Sequence, residues 1–501
     1  MTGAENMHYF IGNNLGKTLT GIEKAQLNRL KLFEAYGMKA KCVFTVFNPR
    51  LHENAQEFNV SSDVFTIYDY FQHAVDYQAE YGDWISYFKE CGYKLKYIPN
   101  TNDVRVYDGE NYIIYAHFTD GNFDKISYIN YFDSEGRKYK REIFDSRGFL
   151  SVRKYLTVKQ KILFEHILDV NGNTVIEKYY NPEAQKHTLT RMMLKYNDAV
   201  YYLNNESELL TIFAEGIYKK DDIFFSDKNN ITASGLANTS AHIPVIAVLH
   251  STHLKYGHSA EIGNIKNTYK DLFNNLERFK GLITSTKQQR DDVEKLIESK
   301  VPVWNIPAGF IEEKNMMPGM RSSEVPRLIS VARYAVEKQL DHQLRLVKKL
   351  KNEYGNIQLH MFGAGAEHAK LKKLIEEHDL TDNVFLRGFV TDLAVEFSKS
   401  HVNLLTSRME GFSLALLEAS SYGVPSVSYD IDYGPSEIID DGRTGYLVSA
   451  DDEEELYDKV RMLLQCNDSE AVLNEVRIGA ERFSKENTGA QWMQLIQLLK
   501  K

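Results

Sequence analysis

At 501 residues the chain is too long for one hydrophobic core, so two or three domains are expected. Its 43% hydrophobic and 26% charged residues, with ten prolines and no low-complexity tract, exclude extensive disorder. The formal charge of -9 argues against a general binder of nucleic acid or anionic membrane, and three cysteines (Cys42, Cys91, Cys466) make neither a disulfide framework nor a metal cluster.

No apolar stretch reaches the roughly 18 residues of a membrane span, and the start of the chain lacks an apolar leader region. A cytoplasmic, reducing location is expected. Residues 1–6 precede a second methionine, Met7, and read as an upstream start or a cloning remnant.

In chain order, the apolar run His8–Ile11 predicts a strand, followed by the polar, glycine-punctuated loop from Gly12 to Gly21. Loosely amphipathic spacing predicts a helix over Ile22–Ala35, and Cys42–Phe47 predicts the next strand. Strand, loop, helix, strand opens a doubly wound α/β domain. The pattern returns with strands at Ile223–Asp227, Pro244–Leu249 and Gly281–Ser285.

Between them, turn dipeptides recur at Asp108-Gly109, Asp120-Gly121, Glu135-Gly136, Arg147-Gly148 and Asn171-Gly172, with aromatic and β-branched residues in the intervals. That texture predicts an antiparallel β-meander inserted into the α/β domain. From Arg327 onward, strands at Leu328–Ala332, Ile357–Phe362, Val384–Leu386, Val402–Thr406 and Ser426–Tyr429 alternate with helical patterns, predicting a second doubly wound unit. The expected division is 1–92 with 203–320 as an N-terminal Rossmann-like, acceptor-side domain, 93–202 as the inserted meander, 321–485 as a nucleotide-sugar domain and 486–501 as a C-terminal helix.

Candidate chemistry concentrates in this last unit, where ligands of open α/β sheets bind beyond the carboxyl ends of the strands. After the strand ending at Thr406 come Glu410, Gly411, Phe412, Ser413, Leu414 and Glu418, with a helix expected from about Ser413. The amides of Gly411 to Ala415 at that helix start make an anion site. Were the whole stretch helical, Glu410 and Glu418 would lie ~12 Å apart, suited to gripping two ends of one extended ligand. Taken alone, such a pair reads as two solvated glutamates. Arg333 and Lys338 follow another strand end, Gly363-Ala364-Gly365 turns after a third, and the loop from Gly434 to Tyr446 follows a fifth.

Together these residues resemble the retaining family 4 glycosyltransferases of the GT-B fold, over the region from Arg327 to Val448. The segment Gly21-Ile22-Glu23-Lys24-Ala25-Gln26 and the aromatic meander are similar to bacterial enzymes that place N-acetylglucosamine on serine-rich adhesins. The opening Tyr9-Phe10-Ile11-Gly12-Asn13-Asn14-Leu15-Gly16 resembles the glycosyltransferases of staphylococcal serine–aspartate-repeat proteins. The resemblance implies a GT-B architecture, two Rossmann-like domains facing a cleft, and UDP-N-acetylglucosamine as donor. It implies that Arg333 and Lys338 hold the diphosphate, Glu418 accepts from the ribose hydroxyls and Glu410 contacts the transferred sugar. The amides of Gly411, Phe412, Ser413 and Leu414 would line the sugar and phosphate path. Gly363 and the base-reading segment at Arg387 would complete the nucleotide site, and Gly16 would approach the donor phosphates, unless it is simply a turn residue.

His250, His253 and His258 have a spacing that a metal could use, but no Cys or Asp supports it. The resemblance places His250 against the donor sugar; a buried structural histidine is the other reading. Asp430 and Asp432 form an Asp-x-Asp that reads as incidental, so no metal is expected. The implied chemistry is anomeric retention by front-face displacement, with the protein supplying position and charge.

The acceptor expected is an acidic, serine-rich protein. Nine cations, Arg137, Lys138, Lys140, Arg141, Arg147, Arg153, Lys154, Lys159 and Lys161, oppose only Glu142 and Asp145 over this part of the meander. Lys138, Lys140, Arg141, Arg153 and Lys154 are therefore candidate acceptor-binding residues, the alternative being a solvated sheet face. The meander could equally serve a homo-oligomer or a same-fold partner subunit. Transfer to a wall polymer or lipid-linked sugar, and a non-catalytic partner subunit of the same fold, remain alternatives.

Overall fold

The computed structural model describes residues 6–255, 264–311, 325–466 and 470–500. Its residues fall into two compact units, Met1–Lys17 with Ala40–Pro244, and Thr18–Lys39 with Val245–Lys501. This grouping cuts across the expected boundaries: residues 203–244 go with the meander, and 245–311 with the C-terminal region.

In the first unit four parallel strands lie in the order Ile223–Ser226, His8–Gly12, Ala40–Phe44, Val64–Thr66. All five residues of His8–Gly12 are buried, the run of apolar side chains that a strand covered on both faces requires. The second strand ends at Phe44 rather than Phe47, because Asn48 turns back to hydrogen-bond the loop carbonyl of Leu15 at 3.0 Å.

The meander is an antiparallel sheet of ten strands among the described residues, from Lys94–Tyr97 to Ala199–Leu203, each paired with the next in sequence. Left-handed φ values at Gly109, Gly136, Gly148 and Gly172 put the expected turns where the dipeptides are. Alternate residues Val104, Val106, Ile114, Ala116 and Ile129 bury one face under Phe88 of the helix Trp84–Glu90. Arg147 is not a surface cation: its guanidinium is buried, bound to Asp145 at 2.7 Å, to the Ala74 carbonyl at 2.5 Å and to Asp69.

The second unit contains the helix Gly21–Ala35, started by a capping box in which the Glu23 carboxylate accepts from the Thr20 amide at 2.9 Å. Phe33 meets Trp492 of the helix Lys485–Leu499 edge-on, with 5.4 Å between ring centroids, and Arg29 lies over the same indole. Three parallel strands run in the order Val245–Val248, Gly281–Thr284, Val303–Asn305. A separate six-stranded parallel sheet has the order Val384–Leu386, Gln358–Phe362, Arg327–Val331, Val402–Leu405, Ser426–Tyr429, Gly445–Val448. Its core joins Leu328, Leu359, Val402 and Val427 to Leu344 and Val347 of the helix Leu340–Leu350. Among the described residues no helix is long and apolar enough to cross a membrane.

Candidate active site

The strand Arg327–Val331 ends at the sheet's carboxyl edge, and its continuation is anchored by Tyr334, whose buried hydroxyl donates to the Met361 carbonyl at 2.8 Å. A single 3-10 turn, Val336–Lys338, and a left-handed Gln339 then launch the helix Leu340–Leu350. That geometry aims Lys338 at the next strand end. Its ammonium donates to Glu410 Oε1 at 2.7 Å, and Ser407 Oγ donates to the same oxygen at 2.8 Å. The two charged side chains are only 16% and 14% exposed, so their pairing is far less screened than at an open surface. Thr406 fixes the pair from below: buried, it accepts from Gln343 at 3.0 Å and donates to the carbonyls of Lys338 and Gln339 at 3.0 and 3.1 Å. Arg333 does not join this cluster; its guanidinium takes the Glu337 carboxylate at 2.5 Å and is largely exposed.

Backbone contacts hold the Glu410 loop. The Glu410 carbonyl accepts from the amides of Thr252 at 3.1 Å and Tyr433 at 3.3 Å. Gly411 passes so close to the 250–251 backbone that a Cβ there would lie 2.4 Å from the His250 carbonyl oxygen, which only glycine avoids. The helix begins at Leu414, with Ser413 as a left-handed cap, and ends at Ser421. Glu410 therefore precedes the helix, so the separation expected for two carboxylates on one helix does not apply. Phe412 is a core side chain, edge-on to Phe483, so only its main chain can face a ligand. Glu418 forms an ion pair with Lys24 of the helix Gly21–Ala35.

The two glycine turns meet. The Gly363 amide donates to the Gly388 carbonyl at 2.8 Å, and a Cβ on Gly363 would lie 1.9 Å from the Ala332 carbonyl oxygen. Arg387 spends its own amide on Met361 at 2.9 Å, while its guanidinium reaches His360 Nδ1 at 3.1 Å and covers the Phe385 ring. Burial, aided by Arg327, Arg387 and Lys399, pushes His360 down to about 3.

Gly16 belongs to the other compact unit, next to Leu15, whose carbonyl takes the Asn54 amide group at 2.9 Å. His250 is half-buried and lines a cavity of about 20 Å³ with Arg29, Ser285, Thr488 and Trp492. His253 is fully buried, parallel to the Tyr433 ring, with no hydrogen-bond partner on either ring nitrogen among the described residues; burial and Lys266 push it down to about 4. His258 lies outside the described residues. Asp432 accepts from Gln288 at 2.6 Å, and burial beside Asp432 and Asp441 raises Asp430. Among the described residues no group of three His, Cys, Asp or Glu side chains could hold a metal.

The five meander cations are not brought onto one surface. Register pairs Arg141 with Lys154 on one face, where the register shift between Tyr131 and Phe132 also brings Lys138, while Lys140 and Arg153 lie on the other face with Glu142. Most are also neutralised locally: Lys140 and Arg153 share Glu142 at 3.4 and 2.9 Å, and Lys154 holds Glu165 at 2.6 Å. Sequence reasoning passed over Ser407, Thr406 and the partner role of Lys24. A hydroxyl three residues before Glu410 was the one local signal.

Residues 313–477 match the family model described as glycosyl transferases group 1. The poly(glycerol-phosphate) alpha-glucosyltransferase of Bacillus subtilis is 26% identical over 74% of this chain, which spans 56% of that relative's length. The UDP-N-acetylglucosamine--peptide N-acetylglucosaminyltransferase GtfA subunit of Streptococcus pneumoniae is 23% identical over 88% of this chain and 87% of its own. In fold, the chain is similar to the crystal structure of the pneumococcal O-GlcNAc transferase GtfA in complex with UDP and GlcNAc: TM-score 0.84, 21% identity, covering 98% of this chain and 99% of that one. With its parallel α/β sheets, an antiparallel meander and this cluster at the strand ends, the chain has the GT-B fold, and its residues 313–477 carry the match to the group 1 glycosyl transferases.

Proposed function

We propose that the chain transfers N-acetylglucosamine from UDP-N-acetylglucosamine to Ser or Thr hydroxyls of a serine-rich surface protein, such as a serine–aspartate-repeat adhesin, with retention of configuration. The observation that carries the reading is the half-buried Lys338–Glu410–Ser407 cluster at a strand end, with Arg333 on the segment leading into the Val336–Lys338 turn and Glu418 on the helix that follows. Lys338 and Arg333 receive the diphosphate and stabilise the charge that grows on its departing oxygen. Glu410 holds the sugar, Glu418 the ribose, and Gly363 and the 387–388 main chain the base. His250 and the 411–414 backbone line the sugar path.

In the front-face route, the acceptor oxygen bonds to C1 as the C1–phosphate bond breaks. The departing phosphate oxygen takes the acceptor proton, so no protein nucleophile is needed. No metal takes part, because the cations are supplied by side chains. The protein works in the cytoplasm, in keeping with a chain of only three cysteines. A same-fold partner subunit on the meander is in keeping with the word subunit in the streptococcal relative's name.

The match to the poly(glycerol-phosphate) enzyme favours a second reading, transfer to a wall polymer. One experiment separates them. The purified protein is given UDP-N-acetylglucosamine or UDP-glucose, with a serine–aspartate peptide or poly(glycerol phosphate) as acceptor, and products are read by intact mass. Sugar added to the peptide supports the first reading; sugar added only to the polymer replaces it with the second.

A further inference from the structure

Lys266 stands beside this cluster with no role in the reading above. Its main chain is fixed by the segment that also fixes Glu410: the Lys266 amide donates to the His253 carbonyl at 2.8 Å, and Thr252, one residue earlier, donates to the Glu410 carbonyl. Its half-buried ammonium reaches Met409, the residue before Glu410, and donates to the thioether sulfur at 3.1 Å. Thioether sulfur is a weak acceptor for a full positive charge. Among the described residues no carboxylate lies within ion-pair distance of Lys266. The nearest influence is Glu337, already held by Arg333. Burial accordingly pushes the ammonium below its ordinary range, with Glu337 partly restoring it.

Arg333 is paired with Glu337 and Lys338 with Glu410, while Lys266 faces the Met409 sulfur beside Glu410. Two of the cations are committed to those carboxylates and the third is not. A half-desolvated ammonium facing sulfur gains strongly from an anionic oxygen, since charge-assisted hydrogen bonds are about twice as strong as neutral ones. We propose that Lys266 is a third diphosphate-binding cation, which leaves Met409 for a phosphate oxygen of the nucleotide donor when the donor binds. The proposal rests on the donor reading given above and adds a residue outside the strand-end motifs that carry it.

Binding of uridine, UMP and UDP by isothermal titration, without acceptor, tests it on the full chain and on Lys266→Met, Lys266→Gln and Lys266→Arg. Removing the charge should weaken UDP about ten-fold or more, equivalent to ~1.4 kcal/mol, while uridine binding changes less than about two-fold; Lys266→Arg should recover most of the loss. The methionine and glutamine variants guard against a packing defect in either one, and each is checked by its melting temperature. Parallel weakening of uridine and UDP would mean a structural role and overturns the proposal. So does unchanged UDP binding, including the case where only acceptor KM rises and the ammonium serves the acceptor. If the unmodified protein binds no UDP although it melts normally, the donor reading itself fails, and the proposal with it.

Discussion

Lys24, near the start of the helix Gly21–Ala35, forms an ion pair with Glu418 of the helix Leu414–Ser421, joining two residues almost four hundred positions apart. The side chains are 35% and 28% exposed, so the pair is worth little to stability: exposed pairs contribute about 0.2–1 kcal/mol. Its consequence is positional. The ammonium holds a carboxylate that is proposed to accept from the donor ribose.

Lys24→Ala is therefore expected to raise the donor KM by roughly two- to five-fold, with kcat little changed, since the interaction is present before the reaction begins. In a Glu418→Gln background the same substitution should have almost no further effect. Steady-state kinetics on the four proteins measures the coupling; full additivity would separate Lys24 from the ribose carboxylate.

Glu410→Gln removes the charge that Lys338 and Ser407 converge on. Transfer should fall at least ~10-fold, the equivalent of ~1.4 kcal/mol in the barrier, with the melting temperature within a few degrees of the parent. Full activity in this variant would take Glu410 out of the site.

Activity should persist in excess EDTA. Loss of transfer that manganese restores would instead bring Asp430 and Asp432 into the reaction, where a divalent cation would relieve the burial and mutual repulsion that raise Asp430.

Stability should fall as pH drops from about 6.5 towards 4. His253 is buried neutral with its folded value near 4, so between these values the unfolded chain binds a proton that the folded chain refuses. The contribution is complete above the unfolded value and is lost on acidification, up to about 3 kcal/mol at ~1.4 kcal/mol per unit. His360, pushed down to about 3, acts with the same sign. Replacing His253 with Phe, which can stack on Tyr433 in the same way, should flatten the acid limb of chemical-denaturation stability against pH; an unchanged slope would show that His253 is protonated in the folded chain.

Much of this was legible in the sequence because it is local. Alternating and continuous apolar runs mark strands wherever they lie, and turn dipeptides mark the meander's reversals, so both the parallel strands and the antiparallel insertion could be placed by residue. Arg333, Lys338, Glu410 and Glu418 could be named because each follows a strand end, and a strand end is a local feature. The tertiary structure decided who meets whom. It gave Lys338 to Glu410 and Arg333 to Glu337, set Glu418 against Lys24, and left Lys266 facing sulfur. It also divided the meander's cations between two faces and buried Arg147, although a one-dimensional count made them a single basic stripe. The physical reason is that charge pairing depends on distance in space and on desolvation. Both arise only when segments far apart in the chain are packed together, whereas strand and turn formation depend on neighbours a few residues away.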